Sequence, residues 1–125
     1  MEERSVIKSY LDLEVYKEAY KAAMEIFWLT RKFPKEEIYS LTSQIVRSSR
    51  SIPANISEGW GKRSYENVFK QHLTHALGSC FETNTWLRFA GDCSYLEESE
   101  YQKFFQVYEL IGKKLNRLHQ KWKTF

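Results

Sequence analysis

With 125 residues the chain is sized for one domain around a single core, and two prolines with five glycines leave little turn chemistry for a many-stranded sheet. Nineteen basic against sixteen acidic residues give a net charge of +3, too mild in sum to announce a nucleic-acid binder. Two cysteines make no disulfide framework and favour a reducing compartment. The charged start MEERSVIKSY lacks the apolar core of a signal peptide, and no run approaches 18 uncharged apolar residues, so a soluble cytoplasmic protein without a membrane partner is expected.

In chain order the pattern predicts a flexible leader over residues 1–11 and one four-helix unit over residues 12–125. Asp12 is the expected N-cap of the first helix, with Glu14 in its first turn. Tyr16, Ala19, Ala23, Ile26 and Thr30 fall on one side of it, and Val15, Ala22 and Leu29 widen that side. Phe33 and Pro34 stop it. Pro34 then suits the first position of a second helix, where its missing donor costs little.

The second helix carries Ile38, Leu41, Ile45, Ile52 and Ile56 at spacings of three, four and seven, with Pro53 inside the stripe. A proline there removes one ladder bond and crowds the carbonyl of Ser49, predicting a kink or break at a cost of about 3 kcal/mol. Ser48, Ser49 and Ser51 stand where their hydroxyls can satisfy the freed backbone groups. Gly59 and Gly61 around Trp60 end the stretch.

Ser64 is the expected cap of the third helix, whose row is Phe69, Leu73, Ala76, Cys80, Thr83, Leu87 and Ala90. Gly78 and Ser79 in its middle predict a close helix crossing. After a joint over residues 94–99, the fourth helix repeats Tyr101, Phe104, Tyr108, Ile111, Leu115, Leu118, Trp122 and Phe125 in alternating steps of three and four, the seam of a bundle. The expected fold is therefore all-α, an antiparallel up-down-up-down four-helix bundle with a proline-kinked second helix.

FPKEEIYSLTSQIVRSSRSIPANISEG, over residues 33–59, resembles the signature of small bacterial four-helix-bundle proteins encoded in intervening sequences of large-subunit ribosomal RNA genes. LEVYKEAYKAAMEIFWLT, over residues 13–30, is similar to that family's first helix. ALGSCFETNTWL, over residues 76–87, is similar to its third, although Asn84 stands where a second glutamate is expected. The resemblance implies a homopentamer and kinship with the accessory protein of diversity-generating retroelements, which binds nucleic acid and a reverse transcriptase.

Catalytic chemistry finds little support. The positions three before His72, His75 and His119 are Phe69, His72 and Asn116, so the Glu-x-x-His pair of a di-iron bundle is absent. His72 and His75 share a face, which reads as two solvated or interface histidines more readily than as a metal site. The run from Gly59 to Lys62 lacks the spacing of a phosphate loop. Cys80 and Cys93 have no neighbouring base in sequence and read as inert thiols. No enzyme activity, cofactor or metal is expected.

Basic residues carry the functional expectation. Arg47, Arg50, Lys62 and Arg63, with Trp60 nearby, combine charge for phosphates with a ring able to stack on a base. After Glu109 the chain has Lys113, Lys114, Arg117, Lys121 and Lys123 without a carboxylate. Both groups have alternatives: pairing with carboxylates of a neighbouring subunit and packing of Trp60 on the bundle for the first, a solvated helix end for the second. The expected function is a non-enzymatic oligomeric module binding structured RNA or a hybrid. The alternative is an oligomeric adaptor, for example for a reverse transcriptase, to which nucleic acid is incidental. Tyr65, Trp86 and Phe89, off the main row, favour an interface of some kind.

Overall fold

The computed structural model describes residues 7–123. Residues 1–6 of the expected leader, and Phe125 of the expected seam, lie outside them. Four α-helices fill the described chain: α1 (Glu14–Thr30), α2 (Leu41–Gly61), α3 (Glu66–Asp92) and α4 (Glu98–Lys121). No strand occurs among the described residues. Two short 3-10 turns, Tyr10–Asp12 and Lys35–Glu37, precede α1 and α2.

Neighbouring helices run antiparallel, as the cross-helix pairs require. Between α1 and α4, Lys32 meets Glu100 at 2.9 Å while Glu14 meets Lys114 at 3.0 Å. Between α2 and α3 the sequence of contacts is Ser48 with Thr83, Ser51 with Ser79, Asn55 with His72, and Trp60 with Phe69. Each helix packs against the next around the bundle, and α1 closes on α4. This is the up-down-up-down arrangement that short joints favour.

The apolar rows supply the core. All seven predicted α3 positions, from Phe69 to Ala90, are buried, as are Phe104, Tyr108, Ile111 and Leu115 of α4. Leu41, Ile45, Ile52 and Ile56 of α2 face them. Ile38 does not. It lies in the joint before α2, 54% exposed, because Pro34 begins the 3-10 turn instead of entering α2. That joint is held by Glu37, whose carboxylate accepts from Ser40 Oγ, from Tyr95 Oη at 2.7 Å and from the Leu41 amide at 3.3 Å. The Ser40 bond, then those from Tyr95 and Leu41, lower the Glu37 pKa, while the same bond raises the Tyr95 phenol to about 12.

Helix α2 runs unbroken through the buried Pro53. The Ser48 and Ser49 hydroxyls donate to the carbonyls of Ile45 and Val46, at 3.3 and 3.0 Å, rather than engaging the Ser49 carbonyl that proline leaves without its usual donor. Ser48 also meets Thr83 at 2.9 Å and Ser51 meets Ser79 at 2.9 Å, so these small polar residues tie α2 to α3.

The helix starts also differ from expectation. Asp12 closes the preceding turn by accepting from the Lys8 and Ser9 amides, and Leu13 takes the N-cap of α1. Tyr65, not Ser64, precedes α3 and offers no side-chain cap. The tightest glycine is Gly59: a Cβ there would stand 2.7 Å from His72 Cβ. Gly78 faces open space, with nothing within 4 Å of the same added atom, while Ser79 beside it meets Ser51 of α2, so the expected close approach is made there by Ser79 and not by Gly78.

Candidate nucleic-acid interface

Antiparallel packing puts the C-termini of α2 and α4 at the same end of the bundle, beside the start of α3. The join is aromatic. Trp122 lies 5.7 Å from Trp60 and 4.7 Å from Phe69, centroid to centroid, both near edge-on, the arrangement ring quadrupoles favour. Lys62 and Arg63, just after α2, thereby share one end of the molecule with exposed Lys121 of α4, although nearly sixty residues separate them along the chain. The opposite end carries the starts of α2 and α4, where Glu36, Glu37, Glu98 and Glu100 stand in first turns. The basic end also holds Glu58 and the first-turn carboxylates Glu14 of α1 and Glu66 of α3.

Trp60 is buried within the core cluster. One of its faces is taken by the Arg63 guanidinium, 4.3 Å from the ring centroid, whose Nη1 also donates to the Trp60 carbonyl at 3.0 Å. Stacking of a base on Trp60 is therefore blocked, and the ring serves to seat Arg63. Lys62 extends to Glu58 at 3.0 Å, one turn earlier, and its Nζ lies 3.4 Å from His72 Nε2. Lys62 lowers the Glu58 pKa, with His72 adding a smaller effect. His72 Nδ1 lies 3.1 Å from Asn55 Oδ1. His72 is thus a packed, hydrogen-bonded residue at the Gly59 crossing, and no group fit for a metal ion exists among the described residues.

The two arginines of α2 point apart. Arg47 reaches α3, pairing with Glu82 at 2.7 Å and with Gln44 at 2.8 Å. Glu82 Oε2 also accepts from Trp86 Nε1 at 3.1 Å, which fixes the carboxylate. Arg50 reaches α1, its guanidinium 5.5 Å from the Phe27 centroid, and it has no carboxylate partner among the described residues.

On α4, Lys114 is drawn between Glu14 and Glu18 of α1, the Glu18 contact being the shorter. Bonding to Glu18, then Glu14, raises the Lys114 pKa, and Lys114 lowers that of Glu14. Lys113, Arg117 and Lys121 are exposed without a carboxylate partner among the described residues. Of the predicted residues, the fold gathers Lys62, Arg63 and Lys121 and leaves Arg50, Lys113 and Arg117 unpaired on other faces. Arg47 and Lys114 bind carboxylates of the same chain. Sequence missed those carboxylates because Glu82 and Glu14 lie 35 and 100 residues from their partners.

Cys80 is buried, and burial pushes its thiol up to about 12, while Cys93 is exposed. No described helix is long and apolar enough to cross a membrane. Exposed rings are numerous, Tyr39 at 94%, Phe81 at 63% and Trp28 at 61% among them.

A family model described as the 23S rRNA-intervening sequence protein matches residues 11–117. Among solved structures, the chain is similar to a protein of unknown function from the S23 ribosomal protein family of Bacteroides thetaiotaomicron. That likeness has 27% identity and a TM-score of 0.78, and covers 86% of this chain and 96% of the other. No curated protein matches the sequence.

Proposed function

Because the chain belongs to the 23S rRNA-intervening sequence protein family, we propose that it acts without enzymatic chemistry, as a cytoplasmic homopentamer that binds structured RNA or an RNA hybrid through phosphate contacts. The observation that carries this reading is the meeting of Lys62, Arg63 and Lys121 at one end of the bundle, opposite the acidic starts of α2 and α4. A closed ring repeats that end around its axis, so the local positive field grows with each subunit although one chain carries only +3. Arg50, Lys113 and Arg117 extend the contact surface. Arg47 and Lys62 join it by exchanging an exposed carboxylate for a phosphate, an exchange opposed by only about 0–1 kcal/mol for a surface ion pair. Lys114, held by two carboxylates, chiefly ties α4 to α1.

The test compares variants on fluorescently labelled RNA hairpins of unrelated sequence. Changing Lys62 and Lys121 together to glutamine is expected to weaken binding equally for every hairpin and to flatten the log K against log salt slope by roughly 0.7–0.9 per lost contact. Lys114→Gln is expected to leave the slope unchanged. An unchanged slope in the double variant sinks the assignment of these residues.

A second reading, an oligomeric adaptor for a protein such as a reverse transcriptase, is favoured by the exposed rings of Tyr39, Phe81 and Trp28. It replaces the first if the parent protein fails to bind RNA at about 50 mM salt, where phosphate contacts are strongest.

A further inference from the structure

A cleft of about 400 Å³ opens between α1 and α2, within the range of about 300–1,000 Å³ typical of small-ligand sites. Its walls include Tyr16, Tyr20 and Met24 from α1, with Arg50, Pro53 and Ser57 from α2. No carboxylate lines it. Three other clefts on the bundle differ in this respect: one holds Glu25 and Glu100 against Lys32 and Lys103, another Glu37, and another Glu109 beside Lys113. Of these four, the α1–α2 cleft alone joins a cation to a carboxylate-free wall.

Its components suit a flat ring bearing an anion. The Tyr16 and Tyr20 rings lie 6.1 Å apart with a tilt of 36°, and the Tyr20 ring is more than half exposed. Met24 adds a polarizable thioether, which packs well on aromatic faces. Ser57 Oγ donates to the Ala54 carbonyl at 3.0 Å and keeps its lone pairs for an incoming N–H. At the rim, Arg50 rests on Phe27, so its planar fork is positioned before a ligand arrives.

We infer that this cleft receives one unpaired nucleobase, stacked against Tyr20 and Met24, with the adjoining phosphate held by Arg50. The inference rests on the RNA-binding reading above and adds to it a site that distinguishes an unpaired nucleotide from a bare phosphate chain.

Met24 is one of only two methionines, so a ¹³C-methyl methionine label in the whole protein reports directly on the cleft. Adenosine 5′-monophosphate is expected to shift the Met24 methyl resonance saturably, by the ring current of the base, while inorganic phosphate leaves it in place. Tyr20→Leu and Arg50→Gln, both at exposed positions that spare the core, are each expected to weaken this binding about tenfold. Phosphate moving Met24 as much as the nucleotide does, or Tyr20→Leu binding like the parent, overturns the inference. So does an acidic helical peptide that moves Met24 where the nucleotide does not, which makes the cleft a protein-docking site. Salt-sensitive RNA binding with Met24 unmoved removes the base pocket but leaves the phosphate reading intact. Failure of both RNA and nucleotide to bind removes both.

Discussion

Gly59 and Gly78 make a matched pair for measuring how closely α2 and α3 approach. Both are helical, so alanine at each carries a helix-propensity gain of up to about 1 kcal/mol. Their surroundings differ. At Gly59 the new methyl would stand 2.7 Å from His72 Cβ and 3.1 Å from Phe69 Cδ1, well inside the roughly 3.5–4.0 Å of an ordinary carbon contact. His72 Cβ is bonded to the α3 backbone and cannot rotate away, so the helices must separate where Ile56 and Phe69 are fully buried. Forcing a methyl into such a core costs about 1–3 kcal/mol. At Gly78 the methyl meets nothing within 4 Å. Since the propensity gain cancels between them, Gly78→Ala should exceed Gly59→Ala in stability by about 1–3 kcal/mol, with Gly78→Ala itself above the parent. Urea unfolding followed by circular dichroism measures this, at one fixed protein concentration because the proposed assembly would make apparent stability depend on it. Equal midpoints for the two variants would refute the tight crossing at Gly59.

Light scattering should give a mass near five times the 15.0 kDa chain, and a monomer at micromolar concentration would contradict the proposed ring. A thiol reagent should titrate one cysteine per native chain, Cys93, and a second only after denaturation, because the Cys80 thiol is buried and held near 12. The Glu100 pKa is lowered by Lys32, and by the Glu97 amide, so this carboxylate stabilises the fold above its unfolded value of about 4.3 and loses that contribution as pH falls through the lower folded value. Glu100→Gln should therefore make the acid limb of a stability profile shallower, and an unchanged limb would show that the Lys32 contact is not formed in solution.

What sequence made legible follows from how local each signal is. The α3 row and the α4 seam depend on spacing within one helix, and every α3 position placed on the core side is buried there. Helix starts were less legible, because Ser64 and Asp12 have the right chemistry but Tyr65 and Leu13 occupy the caps, a shift of one residue that spacing does not resolve. Gly78 misled because a glycine in mid-helix marks a close approach only if it faces the neighbouring helix: at that height Ser79 meets Ser51 while Gly78 faces outward, and the glycine pressed against a neighbour is Gly59. The basic residues were identifiable by type, yet their pairing was not. Arg47 and Arg50, three apart, face different helices, and only the folded bundle shows that one meets Glu82 and the other an aromatic ring.

The central claim, phosphate binding by the basic end, is tested most directly by the affinity of the parent protein for an RNA hairpin between about 50 and 200 mM salt. With Lys62, Arg63 and Lys121 each neutralising a phosphate, log K against log salt should fall with a slope steeper than about −2, the same for hairpins of unrelated sequence. A flat response, or no binding at the lowest salt, would contradict it.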